Sequence, residues 1–264
     1  MQDLSITLIQ SDIHWQKIDA NLAAFEEKIW KTEKSDIILL PEMFSTGFSM
    51  EAGTMAERMN GKTFKWIRNM AKQSGAVIMG SYLVYENSNY YNRLICMEPD
   101  GNYSCYDKRH LFRMTGEDKV FAAGNKIRIH EIKGWKINAL ICYDLRFPVW
   151  SRNKYNADNG SFLYDVLIYV ANWPAARISA WDILLKARAV ENMCYSVGLN
   201  RVGKDGLGVE YNGHSNVVGP KGEVKEKYSE DAFINRYVLS AEELTIFRNK
   251  FPSHLDFDSF QIKA

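Results

Sequence analysis

The sequence has few cysteines and no excess of charge of either sign. It contains 4 cysteines in 264 residues, far apart, with no C-x-x-C pair and no companion histidines at zinc spacing. We therefore expect four reduced thiols and no metal site. The 33 basic residues are balanced by 32 acidic ones, for a formal net charge of +1. This balance gives no electrostatic footprint for nucleic acid or an anionic membrane, and it favours a small-molecule or protein partner.

The sequence also lacks long apolar runs. No segment approaches the roughly 20 apolar residues that a membrane-spanning helix requires. The opening decapeptide, MQDLSITLIQ, carries an acid where a secretory signal would carry lysines, and its apolar run has the length of a strand. We expect a cytoplasmic protein with no membrane partner.

Helix and strand patterns alternate along the whole chain. The hydrophobic content of 46% is ample for a sizeable core, and we find no repeat, low-complexity run or linker. This interleaving predicts one α/β domain over residues 1–264, with enough strands for two sheets. The predicted strands are Leu4–Gln10, Ile37–Leu40, Val77–Tyr85, Tyr91–Met97, Tyr103–Tyr106, Ile127–Ile132, Lys136–Ile141, Asp165–Ala171, Tyr195–Asn200, Ser215–Val218 and Val224–Tyr228.

Four amphipathic helices fall between these strands. The first is capped by Asp19, the second spans Thr63–Ser74 and stops at Gly75, the third covers Ile178–Cys194, and the last opens with the capping box Ser240-x-x-Glu243. Arg188 falls on the apolar face of the third helix, so it needs an acidic partner such as Glu191.

Three other segments have no regular period. Residues 109–125 are predicted to form a loop that covers another part of the protein, and residues 156–164 are predicted to be an insertion. The C-terminal tail, about 252–264, contains Phe257 and Phe260, and aromatic residues in a tail usually pack on something. A partner subunit is one candidate.

Cys142 follows the apolar strand Lys136–Ile141 directly, with Pro148 able to open a helix soon after. A thiol at a strand end, followed by backbone N–H groups turning toward a helix, has the layout of a nucleophile beside an oxyanion site. The alternative is that Cys142 is a small buried hydrophobe, as free cysteines commonly are.

Glu42 and Lys108 also stand at the ends of apolar strands. Ligands of α/β proteins bind beyond the carboxyl ends of the strands, so we expect these residues to converge with Cys142. A carboxylate can take the thiol proton, and the lysine charge favours first the thiolate and then an oxyanion.

Three segments around these residues, LLPEMFSTGF, YDKRHLF and LICYDLRFP, resemble the signature motifs of the carbon–nitrogen hydrolase (nitrilase) superfamily, in that order. With KARAVENMCYSVGLNRVG and the DG…HS pattern beyond it, the resemblance covers nearly the whole chain. It implies a four-layer α-β-β-α sandwich, and a homodimer is common in the family. It also implies roles: Glu42 as general base, Lys108 as charge stabiliser and Cys142 as nucleophile. Glu117 matches a second glutamate found in many members, although a solvated loop acid is the alternative.

Within the superfamily, YDKRHLFRM, CYDLRFPVW and YVANWPAAR most resemble the omega-amidase branch, which acts on 2-oxo acid amides such as 2-oxoglutaramate or 2-oxosuccinamate. The substrate carboxylate suits a planar guanidinium, and Arg146 and Arg177 each follow a strand end. We favour Arg177, because we expect Arg146 to pair with Asp144. Trp173 is a candidate pocket wall, with core filler as its alternative. The backbone N–H of Tyr143 is the expected second oxyanion donor.

Other residues are weaker candidates. His110, His130 and His214 lack ligand spacing and read as hydrogen-bonded structural groups. The stretch Gly203-x-x-Gly206-x-Gly208 reads as a turn and not as a nucleotide loop, so we expect no cofactor. Cys96 and Cys194 are expected in the core. Two other functions remain open: an amidase or N-carbamoyl amine hydrolase acting on another small substrate, and a non-catalytic binding protein on the same fold.

Overall fold

The computed structural model describes residues 2–262. In chain order the strands are β1 (Leu4–Gln10), β2 (Ile37–Leu39), β3 (Glu57–Arg58), β4 (Val77–Glu86), β5 (Asn89–Met97), β6 (Tyr103–Asp107), β7 (Ile129–Ile132), β8 (Trp135–Ile141), β9 (Tyr155–Asn156), β10 (Ser161–Phe162), β11 (Val166–Val170), β12 (Tyr195–Leu199), β13 (Val202–Lys204), β14 (Glu210–Asn212), β15 (Asn216–Val218) and β16 (Phe233–Leu239). The helices are α1 (Ile18–Trp30), α2 (Ala52–Met55), α3 (Lys62–Ser74), α4 (Glu117–Val120), α5 (Pro148–Ser151), α6 (Ile178–Asn192) and α7 (Ala241–Lys250).

The first large sheet comes from the N-terminal part of the chain plus β16. Its order is β16-β1-β2-β4-β5-β6, with β3 beside β4. β1, β2 and β4 are parallel, while β16 and β5 are antiparallel to their neighbours. β6 is antiparallel to β5 and therefore runs in the direction of β2. The carboxyl ends of β2 and β6 consequently lie at the same edge of the sheet.

The second large sheet has the order β15-β12-β11-β8-β7. Its three central strands, β8, β11 and β12, are parallel, and the two outer strands are antiparallel to them. Every residue of β11 and β12 is buried, which agrees with strands covered on both faces. The carboxyl ends of β8 and β11 therefore emerge side by side.

The two sheets pack face to face between outer layers of helices. Residues of β1 and β8 belong to one shared apolar core. Helices α1 and α3 cover the outer face of the first sheet through Phe25, Ile29, Phe64 and Ile67. Helix α6 covers the second sheet so closely that a Cβ at Gly198 would collide with side chains of the helix. This arrangement is the predicted four-layer α-β-β-α sandwich, and that prediction is confirmed.

Helix termini test the capping predictions separately. Ser240 caps α7 by accepting a hydrogen bond from the backbone N–H of Glu243 at 3.2 Å, as predicted. Asp19 does not cap α1, because the helix begins at Ile18 and Asp19 already lies in the first turn. That prediction was wrong, although an acid in the first turn still favours the helix dipole. Arg188 pairs with Glu191 at 2.9 Å, as expected.

The prediction of a strand at Val224–Tyr228 was wrong. Only an isolated bridge joins Val218 and Val224 there. The strand that completes the first sheet is β16, which pairs with β1 over its full length. The run FINRYVL, rich in β-branched and aromatic residues, was a usable signal that the sequence analysis missed.

The expected insertion and the C-terminal tail lie against each other. Residues 156–164 contain most of the β9–β10 hairpin. Within the insertion, the Phe162 ring lies 4.9 Å from the His254 ring of the tail. Just before the insertion, the guanidinium of Arg152 lies 4.1 Å from the centroid of the Phe257 ring, and the Lys154 ammonium lies 5.4 Å from that of Phe260. The tail aromatics therefore pack on their own chain as far as residue 262. Residues 263 and 264, the end of the predicted tail, lie outside the described residues.

Candidate active site

Glu42, Lys108 and Glu117 form one buried ionic cluster. Glu42 follows β2, Lys108 follows β6, and Glu117 opens the short helix α4. The Lys108 Nζ lies 2.8 Å from Oε1 of Glu42 and 2.9 Å from Oε2 of Glu117. All three side chains are fully buried. Because removal of Lys108 would leave two buried carboxylates without a countercharge, the ammonium is essential to the cluster.

Two asparagines hold the Glu42 carboxylate. Asn92 Nδ2 donates to Oε1 at 2.8 Å, and the backbone N–H of Asn172 donates to Oε2 at 2.8 Å. The Asn172 side chain also donates to the Glu42 carbonyl at 2.6 Å. Asn172 follows β11 of the second sheet, so it fastens the two sheets together where the strand ends meet.

Cys142 joins this cluster from the end of β8. Its sulfur lies 3.8 Å from the Asn172 carbonyl oxygen, and the residue is 8% exposed. Its φ of 44° lies in the left-handed region, which non-glycine residues occupy only when the surroundings enforce it. This conformation turns the chain sharply at the strand end. Met43, directly after Glu42, has the same φ of 44°.

We expected Lys108 to favour the Cys142 thiolate, but the surroundings of Cys142 favour the protonated thiol. Burial, first, and then the neighbouring Glu42 raise the pKa of the Cys142 thiol well above 9.0, and the opposing effect of Lys108 does not compensate. The physical reason is that Lys108 is already shared between two carboxylates. In the free protein Cys142 is therefore a protonated thiol beside a carboxylate base.

Glu117 is a buried member of this cluster and not a solvated loop acid. Its Oε2 accepts a hydrogen bond from the backbone N–H of Phe112 at 2.5 Å. Burial raises the pKa of the Glu117 carboxyl, while Lys108 acts in the opposite direction. The segment predicted as an aperiodic loop, residues 109–125, thus carries one acid into the interior.

A cavity of about 340 Å³ opens above Cys142 and Lys108. Its walls are largely apolar and include five aromatic residues, and its rim carries two arginines and two exposed apolar side chains. The residues that line it are Phe48, Met50, Lys108, Phe112, Met114, Thr115, Cys142, Tyr143, Arg146, Asn172, Trp173, Pro174, Arg177, Asp205, Leu207, Val209 and Tyr211.

All four predicted substrate-binding residues line this cavity. Arg146 lies with its guanidinium carbon 5.0 Å from the centroid of the Trp173 ring, and Arg177 lies 5.5 Å from the ring of Phe112. Tyr143 packs edge-on against Phe112 at 5.0 Å. No carboxylate among residues 2–262 pairs with either guanidinium.

The expected Arg146–Asp144 pair was wrong. The Asp144 carboxylate instead accepts hydrogen bonds from Tyr106, His110 and the backbone of Ile141. Arg146 is therefore as free as Arg177 to face a substrate, and the reason for preferring Arg177 no longer holds.

The histidines agree with their structural assignment. His110 bonds Asp144 at 2.8 Å, His130 bonds Ser104 at 2.7 Å, and His214 bonds Asp182 at 3.0 Å. Within the described ranges no group of three or more His, Cys, Asp or Glu side chains could hold a metal ion.

Residues 203–208 do not form a nucleotide loop. They belong to the β13–β14 hairpin and its turn, as the glycine pattern predicted. No helix between residues 2 and 262 is long and apolar enough to cross a bilayer. Cys96 and Cys194 are buried, as expected.

Sequence reasoning missed Asn92 and Asn172. Asn92 shares a strand face with Leu94 and Cys96, and an asparagine at such a core position must find a polar partner. Asn172 directly follows an apolar strand, which is the same signal that identified Glu42 and Cys142.

Comparisons with known proteins agree with this geometry. The carbon-nitrogen hydrolase family matches residues 5–234. The chain is 43% identical over 265 residues to the omega-amidase YafV of Escherichia coli K12, covering 99% of this chain and 100% of that protein. It is 32% identical over 252 residues to the 2-oxoglutaramate amidase of Bacillus subtilis, covering 94% and 95% of the two chains.

Solved structures give the same result. A carbon–nitrogen hydrolase superfamily protein of Xanthomonas campestris, which carries an arsenic adduct in its active site, has a TM-score of 0.97 at 41% identity over 100% of both chains. Nit3 of Saccharomyces cerevisiae, at 23% identity over 95% of each chain, shares the fold with a TM-score of 0.82. Family match, relatives and fold agree, and this chain belongs to the carbon–nitrogen hydrolase family.

Proposed function

We propose that this protein is an omega-amidase that hydrolyses a 2-oxo acid amide, 2-oxoglutaramate or 2-oxosuccinamate, to the 2-oxo acid and ammonia through a cysteinyl thioester. The observation that carries the proposal is the placement of a thiol and an ammonium on the floor of one cavity, with the buried carboxylate of Glu42 bonded to that ammonium. At the mouth of the same cavity lie two guanidinium groups that have no acidic partner within residues 2–262. The likeness to the E. coli omega-amidase and the B. subtilis 2-oxoglutaramate amidase supports the choice of substrate.

The proposed mechanism begins with proton transfer from the Cys142 thiol to Glu42. The sulfur then attacks the amide carbon, and Lys108 with the backbone N–H of Tyr143 stabilises the oxyanion. Glu42 returns the proton to the departing ammonia as the carbon–nitrogen bond breaks, which leaves the thioester. Glu42 next takes a proton from water, the resulting hydroxide attacks the thioester, and the thiol recovers its proton.

The raised pKa of Cys142 fits this order of events. A thiol that stays protonated in the free protein reacts only when a positioned base removes its proton, and Glu42 is held in place for that task by Asn92, Asn172 and Lys108. In the proposal, Glu117 holds the ammonium of Lys108 through two contacts of 2.9 and 3.0 Å. The Lys108 ammonium donates hydrogen bonds to both carboxylates, and Lys108 also lines the cavity.

The substrate carboxylate is proposed to lie at the mouth, between Arg146 and Arg177. A guanidinium with no acidic partner can donate two parallel hydrogen bonds to a carboxylate. Each arginine is supported from below by an aromatic ring, Trp173 under Arg146 and Phe112 under Arg177. Trp173 is itself fixed, because its Nε1 donates to the Arg177 carbonyl at 2.9 Å.

A substrate panel tests the proposal. The purified protein is assayed for ammonia release from 2-oxoglutaramate, 2-oxosuccinamate, a neutral aliphatic amide and an N-carbamoyl amine, each scored by kcat/KM. We expect both 2-oxo acid amides to exceed the neutral amide by at least about tenfold, since a charged hydrogen bond contributes roughly 1.5–3 kcal/mol. Equal or better turnover of the neutral amide or the N-carbamoyl amine would refute the choice of substrate.

A non-catalytic binding protein remains the alternative from a different class. Such a protein would bind the 2-oxo acid amide without releasing ammonia from any member of the panel. The buried charges argue against it, because two carboxylates and an ammonium beside a thiol are costly to retain without a chemical role.

We also propose that the protein is a homodimer. The outward side of α6 carries Ile183 and Val190, 66% and 51% exposed, and Val149 of α5 is 58% exposed. Apolar side chains so exposed are typical of an interaction surface. Sedimentation velocity at micromolar concentration is expected to give a dimer, and a monomer would exclude it.

The location proposed for the protein is the cytoplasm. All four cysteines are free in the structure, which suits a reducing compartment.

A further inference from the structure

The carboxylate of Asp144 lies between the two segments that carry Lys108 and Cys142. It is fully buried. Its Oδ2 accepts hydrogen bonds from the Tyr106 hydroxyl at 2.7 Å and from the backbone N–H of Ile141 at 3.1 Å. Its Oδ1 accepts one from the backbone N–H of His110 at 3.0 Å and lies 2.8 Å from that residue's Nδ1.

These partners flank the two reactive residues in sequence. Tyr106 stands two positions before Lys108 and His110 stands two positions after it, while Ile141 directly precedes Cys142. One carboxylate therefore bonds a side chain before the lysine, the backbone after it and the peptide that leads into the nucleophile.

The partners of Asp144 are themselves immobilised. The Tyr106 hydroxyl accepts hydrogen bonds from Trp150 Nε1 at 3.0 Å and from the backbone N–H of Arg109 at 3.2 Å. The His110 ring stacks on Phe147 with centroids 3.8 Å apart and planes 7° apart. Movement of Asp144 would therefore disturb a packed network and not a single bond.

The chemistry of the position requires a carboxylate. An ionised aspartate is acceptor-only and can receive all four donors, whereas an asparagine would turn an NH2 group toward two of them. The strained φ of 44° at Cys142 also needs a fixed frame, because a non-glycine residue keeps a left-handed conformation only when the surrounding structure holds it there.

We propose that Asp144 is a positioning residue that holds the Lys108 strand end and the Cys142 turn in register, so that base, ammonium and thiol meet at one point. It touches neither substrate nor the reacting atoms. This inference rests on the proposed function for the roles of Lys108 and Cys142, but not on the identity of the amide.

The test compares Asp144→Asn with a matched variant, Asp165→Asn. Asp165 is also buried and also receives two donors, the backbone N–H of Lys136 at 3.1 Å and Arg248 Nη1 at 2.6 Å, but it contacts no part of the cavity. For Asp144→Asn we expect kcat for the preferred amide to fall about 100-fold with KM within about threefold, as a small misplacement of reacting groups produces. Asp165→Asn is expected to lower thermal stability and to keep kcat within about twofold.

A milder variant, Tyr106→Phe, guards against misfolding of the first. It removes the hydrogen bond from the Tyr106 hydroxyl to Asp144, together with those that the hydroxyl accepts from Trp150 and Arg109, without changing any charge. We expect a fall in kcat of about tenfold, again with KM preserved, since a hydrogen bond to a charged group contributes more than a neutral one. An unchanged kcat in Tyr106→Phe, or equal losses in Asp144→Asn and Asp165→Asn, would overturn the proposal.

A measurement without substrate separates this proposal from the proposed function. Iodoacetamide labelling at Cys142 is followed by peptide mass spectrometry, with half-buried Cys105 as the internal reference. We expect Asp144→Asn to slow labelling at Cys142 about tenfold and to leave Cys105 unchanged, because the thiol loses its alignment with Glu42. An unchanged or faster rate at Cys142 would overturn the positioning role. If the unsubstituted protein turns over no amide, the proposed function fails, and the labelling rates still decide the role of Asp144.

Discussion

The floor and the mouth of the cavity are built in opposite ways. On the floor, Glu42, Lys108 and Glu117 are fully buried, and every one of their charges is paired. At the mouth, Arg146 and Arg177 have no acidic partner in the described chain, and Met114 and Leu207 are 75% and 74% exposed. The floor is fixed before substrate arrives, whereas the mouth is completed only by a ligand.

This difference predicts separate roles for the residues of the floor and those of the mouth. A preorganised floor can stabilise a transition state without reorganising, and its residues should therefore control kcat. Unpaired charges at a solvent-exposed rim interact equally with bound substrate and with the transition state, and they should control KM. The variants below test whether the division holds.

The largest effect is expected from the floor. Glu42→Gln keeps the size of the side chain but removes the base, so we expect kcat for 2-oxoglutaramate to fall about 1000-fold with little change in KM. Glu57→Gln is the control, because Glu57 bonds Thr63 away from the cavity. A Glu42→Gln enzyme with more than a tenth of normal kcat would break the comparison, since the floor would then not carry the chemistry.

The mouth is tested by Arg177→Met and Arg146→Met. Loss of a charged hydrogen bond to the substrate carboxylate should raise KM for 2-oxoglutaramate about 10- to 100-fold while kcat stays within about threefold. A neutral aliphatic amide serves as control substrate, and its kcat/KM should not fall. If only one arginine shows the effect, that residue is the carboxylate ligand. If neither does, the mouth has no part in recognition.

The pH dependence of stability tests the floor in another way. The folded-state pKa of Cys142 is raised above 9.0, so above pH 9 the unfolded chain loses this proton while the folded protein keeps it. The folded state then binds more protons, and stability falls with rising pH. Relative to Cys142→Ala, we expect the unsubstituted protein to lose about 1.4 kcal/mol per pH unit in urea unfolding above pH 9. Parallel stability curves would mean that the thiol is not held protonated.

The smallest effect is expected from the exposed rim. Leu207→Ala and Met114→Ala remove apolar surface that is mostly in water already, so we expect changes in kcat and KM below about threefold. Stability should stay within about 0.5 kcal/mol. A large loss of kcat in either variant would show that the rim closes over the substrate and contributes to the floor.

The sequence predicted the floor better than the mouth for a physical reason. Glu42, Lys108 and Cys142 each end an apolar strand, and strand direction alone brings those ends to one edge. The partners of Asp144 could not be derived in this way, because Tyr106, on a strand of the other sheet, and His110, in the segment after that strand, reach it through side-chain geometry. A local Arg146–Asp144 pair was the simpler expectation, and it failed.

In the fold too, elements with a long, clear sequence pattern were predicted correctly, whereas a strand defined by long-range pairing was missed. Long apolar or amphipathic elements such as β1, α3 and α6 were predicted to within a few residues. The error at Val224–Tyr228 arose because the short sequence pattern there resembles that of a strand, although only one bridge forms, between Val218 and Val224. β16 is defined by its pairing with β1 at the other end of the chain, which a local pattern does not show.

Ammonia release from 2-oxoglutaramate by Cys142→Ala, measured beside the unsubstituted protein, tests the central claim most directly. The two proteins should give the same circular dichroism spectrum, because the cluster of Glu42, Lys108 and Glu117 does not depend on the sulfur. The account predicts that the unsubstituted protein releases ammonia and that Cys142→Ala releases none above the uncatalysed rate. Full activity in Cys142→Ala would contradict it.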